Sequence, residues 1–262
     1  MLSALLFYSL VGAVAGLIAG LFGIGGGVVV VPALIVALNQ QGVDPAVVIH
    51  LAIGTSLAII TATGAASAMG HWKQGAVSVE LLTRMLPGLI LGAVLGGLIA
   101  GQLQAERLER YFGVFMLLLA LRMLLAKSPR AGRKPAGLPA MFTAGTLIGT
   151  FSALFGVGGG VLSVPWLARN GARLTMAIGT SAACGLPIAA VGAATFFFTG
   201  QGQSILPAYS SGYLYWPAFA GIALFSVPFA RLGVRLSHNL SPRLLRRLFA
   251  LLVVLVGLKL II

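Results

Sequence analysis

The chain has 262 residues, of which 59% are hydrophobic and 8% charged, whereas a soluble domain carries about a quarter charged. Such a composition cannot furnish the polar shell of a soluble globule, and an all-α polytopic membrane protein is the class that fits. The net charge of +13 does not point to nucleic acid, because the basic residues sit between apolar stretches, chiefly at 122–134 and 231–247, as cytoplasmic loops do.

The first apolar segment, 2–22, is long enough to span a bilayer as a helix. No Lys or Arg precedes it, so it reads as part of the mature protein rather than a signal peptide. Gly12, Gly16 and Gly20 recur along it every four residues, a surface for close helix packing that could include a homodimer face. A glycine cluster (Gly23, Gly25, Gly26, Gly27) follows, then a segment at 28–38 that is too short to span. The pair reads as a broken-helix hairpin turning within the membrane, where irregular backbone is tolerated only under cover of protein or a watery cavity. NQQGVDPA at 39–46 has turn chemistry and predicts a loop. Apolar segments at 47–70, 85–104 and 108–125 complete this half, the second carrying Gly88, Gly92 and Gly96 at the same four-residue spacing.

A basic stretch at 127–137 precedes a second copy of the same unit. GLFGIGGGVVVVPAL at 20–34 matches ALFGVGGGVLSVPWL at 153–167 at ten of fifteen positions, AIGTS recurs at 52–56 and 177–181, and RYFGVFMLLLALRML at 110–124 faces RLFALLVVLVGLKLI at 247–261. The three echoes keep one order, which is the signature of a duplicated unit. The chain therefore divides into a first transmembrane repeat at 1–126, a cytoplasmic linker at 127–137 and a second repeat at 138–262. Apolar segments of the second fall near 139–155, 161–168, 175–198, 213–230 and 244–262, giving each half a hairpin plus three spanning helices.

The charges orient these segments. Lys127, Arg130, Arg133 and Lys134 in the linker, and Arg231, Arg235, Arg243, Arg246 and Arg247 further on, belong on the cytoplasmic side. His71, Lys73, Arg84, Arg169 and Arg173 then fall inside as well. The loop at 199–212, which has no Lys or Arg, falls outside with both termini. An odd number of segments per half makes the halves face opposite ways, an inverted repeat of the transporter kind.

The glycine clusters, the second being Gly156, Gly158, Gly159 and Gly160, are the first site candidates. Glycine permits positive φ and close approach of a ligand to amides. Each cluster precedes a short helix whose free N–H groups and positive dipole end would face the turn. Two such ends from opposite faces would converge on an anion near the midplane. One cluster alone would more simply let helices touch; a symmetric pair at hairpin tips favours a site. The hydroxyls of Thr55, Ser56, Thr180 and Ser181 lie in apolar helices, where such groups commonly bond the preceding turn; their repetition places them on the same cavity.

Other chemistries lack their residues. GIGGGV has no Lys-Ser/Thr ending of a phosphate loop. The carboxylates Asp44, Glu80, Glu106 and Glu109 lie in or beside loops, leaving no acidic proton relay in the spans. Lys259 has no such counter-ion and snorkels to the interface. His50, His71 and His238 are too scattered for a metal site, and His50 near Ser56 is the sole local pair that could suggest a serine protease. Cys184 is alone, so no intrachain disulfide forms. No catalytic pair, metal or cofactor is called for.

With GLFGIGGGVVVVPAL, its second copy and the AIGTS pair, the sequence resembles the sulfite exporter TauE/SafE family of bacterial membrane proteins along nearly its whole length. The resemblance implies export of a small oxidised-sulfur anion, sulfite or an organosulfonate, across the cytoplasmic membrane, with Gly23, Gly25, Gly26, Gly27, Pro32, Thr55, Ser56 and their second-half equivalents as its motif residues. The expected partners are thus a small anionic substrate and the lipid bilayer, with no nucleic acid. A sulfur-compound importer, a cation carrier, or a non-transporting enzyme or assembly subunit are the alternatives that composition leaves open.

Overall fold

The computed structural model of the protein describes residues 2–22, 26–125 and 136–236, together with 250–251, 253–255 and 257–260. Nine helices are bounded among these: α1 Leu2–Phe22, α2 Gly27–Gln40, α3 Pro45–Lys73, α4 Val79–Gln102, α5 Ala105–Leu125, α6 Leu138–Leu154, α7 Gly160–Arg169, α8 Leu174–Thr199 and α9 Trp216–Leu236. Further helical residues lie between 250 and 259. Most of linker 127–137, together with His238, Arg243, Arg246 and Arg247, lies outside the described residues.

Local chemistry explains the boundaries. Asp44 caps α3 by accepting the Ala46 N–H at 2.9 Å, with Pro45 in the first turn, where its missing N–H costs nothing. Helices α2, α3, α6 and α7 close in one way. Gly42, Gly75, Gly156 and Gly171 take positive φ, and the next residue's N–H reaches back to Leu38, His71, Ser152 and Leu167 respectively, the glycine-dependent six-residue closure. Pro32 and Pro165, each the sixth residue of its short helix, remove the N–H that would pair with the carbonyls of Val28 and Val161.

Two expectations need correction. The polar stretch at 39–46 is not wholly loop: α2 runs to Gln40, a turn longer than α7, because Asn39 and Gln40 are exposed and the helix stops only at Gly42. The segment expected to be apolar helix from residue 213 instead begins with a β-hairpin, β1 Ser210–Ser211 pairing antiparallel with β2 Leu214–Tyr215. Gly212, at φ 55, is the first residue of its two-residue turn, the position that favours glycine.

The most extensive contacts are α4 with α6 and α1 with α9, while α3 lies along α8. Each of the first two joins the first helix of one half to the fourth of the other, so the halves are interleaved. Small residues make these seams. Cβ atoms at Gly88, Gly92 and Gly96 would strike the carbonyls of Phe142, Thr146 and Thr150 on α6, and at Gly12 and Gly16 those of Ile222 and Ser226 on α9. Backbone approach of that kind is how helices associate where no hydrophobic drive exists. The glycine faces that the sequence offers to a second copy are thus covered within the chain.

Large apolar side chains point outward, among them Leu10, Leu91, Leu95, Leu118, Leu224 and Leu255, on a scale that soluble monomers avoid. Helices α3, α4, α8 and residues Trp216–Gly233 of α9 are long and apolar enough to cross a membrane. Helix α3 is the most enclosed of these and, with α8, forms the centre on which the site is built.

Candidate functional site

The glycine turn before α7 sits at that centre. Gly156 ends α6 at φ 63, and Gly159 precedes α7 at φ −51, its carbonyl accepting the N–H groups of Leu162 and Ser163. The N–H groups of Gly160 and Val161 have no partner within the helix, as at any helix start. The corresponding turn before α2 is described from Gly26, whose φ of 73 is left-handed and whose carbonyl accepts from Val29 and Val30. Gly23 and Gly25 lie outside the described residues. The two turns meet: a Cβ on Gly27 would collide with the Gly156 carbonyl. Gly26 and Gly159, equivalent in the repeat, differ in conformation, so a side chain at Gly26 would be strained whereas one at Gly159 would chiefly displace the end of Ile188.

The four motif hydroxyls are buried and bonded to protein. Thr55 Oγ1 accepts the Tyr215 N–H at 2.9 Å, and Thr180 Oγ1 accepts the Ser78 N–H at the same distance. Both bonds join α3 or α8 to the residue just ahead of the other half's fourth helix. The glycine preceding each threonine lets the chains approach, Gly54 against the Tyr213 carbonyl and Gly179 against that of Ala76. Ser56 Oγ donates to the Gly156 carbonyl at 2.9 Å, holding the glycine turn from α3. Ser163 Oγ donates to the Gly159 carbonyl at 2.7 Å, so in its 2.6 Å contact with Ser181 the Ser181 hydroxyl donates.

Beside the turn lies a cavity of about 10 Å³, lined by Gly158, Gly159 and Gly160, by Thr63, Gly64 and Ser67 of α3, and by Gly185 of α8. It has room for one water-sized group. Thr63 donates to the Ile59 carbonyl at 3.0 Å. Ser67 Oγ, in a residue only 3% exposed, has no hydrogen-bond partner. Sequence reasoning passed over Ser67, Gly64 and Gly185 because none belongs to a repeated motif. The signal available was the i, i+4 hydroxyl pair Thr63 and Ser67 on one helix face, where the second half has Ile188 and Gly192 at the corresponding positions.

His50 is committed elsewhere. Its Nε2 lies 3.1 Å from the carbonyls of Ala100 and Leu103, which can only accept, and its ring stacks on Tyr213 with centroids 4.9 Å apart. The ring ties α3 to the end of α4, while Ser56 is bound to Gly156, so the two do not form a nucleophile–base pair. Outside the helices, burial raises the pKa of the Tyr213 phenol.

A family model described as "Sulfite exporter TauE/SafE" matches residues 8–260. A probable membrane transporter protein of Haemophilus influenzae is 35% identical over 260 residues, covering 99% of this chain and 98% of that protein. A probable membrane transporter protein of Methanocaldococcus jannaschii is 26% identical over 253 residues (95% and 92%), and one of Bacillus subtilis, YjnA, is 28% identical over 268 residues (96% and 98%). No solved structure gives a significant match.

Proposed function

The chain belongs to the sulfite exporter TauE/SafE family and is a multi-pass membrane transporter rather than an enzyme, and from that premise we propose that it exports a small oxidised-sulfur anion, sulfite or an organosulfonate, across the cytoplasmic membrane. The observation that carries this reading is the buried cavity where the open N-terminus of α7 meets α3 and α8. Amide N–H groups at a helix start favour an anion, and a cation would face the wrong end of the dipole. The carboxylates of the long helices, Glu80, Glu106 and Glu109, fall within the first five residues of α4 and α5, and none stands deeper in a span, which speaks against a cation carrier on the same grounds.

The transport cycle follows from an inverted arrangement of the halves, with both termini outside and the 127–137 linker inside. The Thr180–Ser78 bond then lies toward the cytoplasm and the Thr55–Tyr215 bond toward the exterior. Release of one while the other holds would open the central cavity to one side at a time, and the small cavity corresponds to a closed form in which both are made. Purified protein in liposomes loaded with sulfite tests the reading. Flux above that of protein-free vesicles, competed by organosulfonates and not by sodium or potassium, is expected; indifference to all oxidised-sulfur anions would overturn it.

A further inference from the structure

Packing accounts for many of the helical glycines among the described residues, but not for Gly64 and Gly185. At Gly12, Gly16, Gly54, Gly88, Gly92, Gly96, Gly145, Gly149 and Gly179 an added Cβ would fall within 3.0 Å of a neighbouring backbone atom. At Gly64 and Gly185 it would meet nothing nearer than 3.9 Å and 3.8 Å, respectively. The fold itself would accept alanine at both, and alanine is the better helix former. Both residues line the cavity beside the α7 turn, and the atom nearest a Cβ on Gly185 is the amide nitrogen of Gly159. A methyl there would stand over the amides that open the helix.

The second observation is independent. Ser67 Oγ lines the same cavity, is buried and has no partner. Buried hydroxyls are ordinarily hydrogen-bonded, and here an unpartnered one lines the same space, of about one water's size, as the residues that open α7. All of these groups can donate, which suits an atom that accepts.

We propose that Ser67, Gly64 and Gly185, with the amides at the start of α7, form a subsite for one oxygen of the transported oxyanion. Ser67 is the side-chain donor, and the two glycines leave the room. The inference rests on the anion-transport reading and adds the residues that recognise the ion. It also makes recognition one-sided, because Ile188 and Gly192 replace Thr63 and Ser67 in the second half.

The test uses proteoliposomes of the full chain carrying Ser67→Ala or Gly185→Ala, with sulfite, sulfate, methanesulfonate and acetate as probes. Loss of a hydrogen bond to a charged group predicts a fall in flux of about tenfold or more for Ser67→Ala. Gly185→Ala should fall at least as far while its melting temperature holds or rises, which separates a blocked site from a damaged fold. Wild-type flux in both variants would overturn the proposal. If the unmodified protein carries none of the four anions, the sulfur-anion reading fails by itself, and the subsite is then judged on thiol chemistry. Ser67→Cys in a Cys184→Ala background is expected to react in membranes with a negatively charged methanethiosulfonate, and Gly185→Leu to suppress that reaction. A Ser67→Cys protein that the reagent never modifies, in membranes or in detergent, would refute the subsite.

Discussion

Thr55 and Thr180 show how a hydroxyl in an apolar helix can serve the partner half rather than its own turn. Each accepts a backbone N–H that precedes another helix. Valine keeps the shape and leaves that N–H buried without an acceptor, which costs about 1–3 kcal/mol. Thr55→Val and Thr180→Val should each lower the melting temperature in detergent, and Thr55→Ser should restore most of the loss. Unchanged melting in both valine variants would show that the bonds do not matter to the fold. The sequence made these residues visible by repeating AIGTS, but not their role, because a role depends on what lies opposite. Ser67 was hidden for the converse reason. It carries no repeat, and an orphaned hydroxyl looks like any serine until its surroundings are known.

At the scale of helices the small-residue seams are the decisive contacts. Gly92 lies against the Thr146 carbonyl, and Gly149 of α6 returns the contact against Leu89 of α4. Gly92→Val should therefore separate α4 from α6 and cost more than the 1–3 kcal/mol typical of overpacking, since the obstacle is backbone. Loss of the monodisperse peak in detergent size-exclusion chromatography would report it. The four-residue glycine spacing was legible as packing, and most helix ends fell within a few residues of their expected places, while α4 begins at Val79 rather than near 85 and α9 runs to Leu236 rather than near 230, because the polar and charged first turn of α4 and last turn of α9 extend each helix past its apolar stretch. Two other boundaries were misread for physical reasons. Asn39 and Gln40 are polar yet extend α2 because its end reaches out of the apolar core, and the aromatic run at 213–216 looked like helix although Gly212 turns it into a hairpin.

For the whole molecule, the proposed orientation makes two predictions. Cysteines at Ser3 and Ser204, but not at Gly132, should react with an impermeant thiol reagent in intact cells carrying Cys184→Ala; labelling at Gly132 would reverse the inverted arrangement. The second concerns the driving force. With carboxylates only at helix starts and none deep in a span, an interior-negative potential can drive anion export without a proton, and it supplies about 2.3 kcal/mol per charge per 100 mV, or about 4.6 kcal/mol for a dianion. We therefore expect electrogenic uniport. Sulfite flux in liposomes should follow a potential set by potassium and valinomycin and reverse with its sign. Flux that ignores the potential and requires a pH gradient would contradict this and direct attention to His50. The membrane class and the glycine turn before α7 were readable from the chain; the packing of α1 on α9 and α4 on α6 was not, since a repeat in sequence does not say which copy its members pack against.

The matched pair of threonine–amide bonds bears on turnover. A carrier stalls if either of its open forms is a deep energy well. In the proposed cycle, opening toward one face would sacrifice the Thr180–Ser78 bond and toward the other the Thr55–Tyr215 bond, two bonds of one chemistry and one length, 2.9 Å. These two bonds would then offset one another in the exchange between the open forms, and neither would favour one face over the other. Gene duplication would then have supplied a balanced rocker at once, leaving later divergence, such as Thr63 and Ser67 against Ile188 and Gly192, to tilt it.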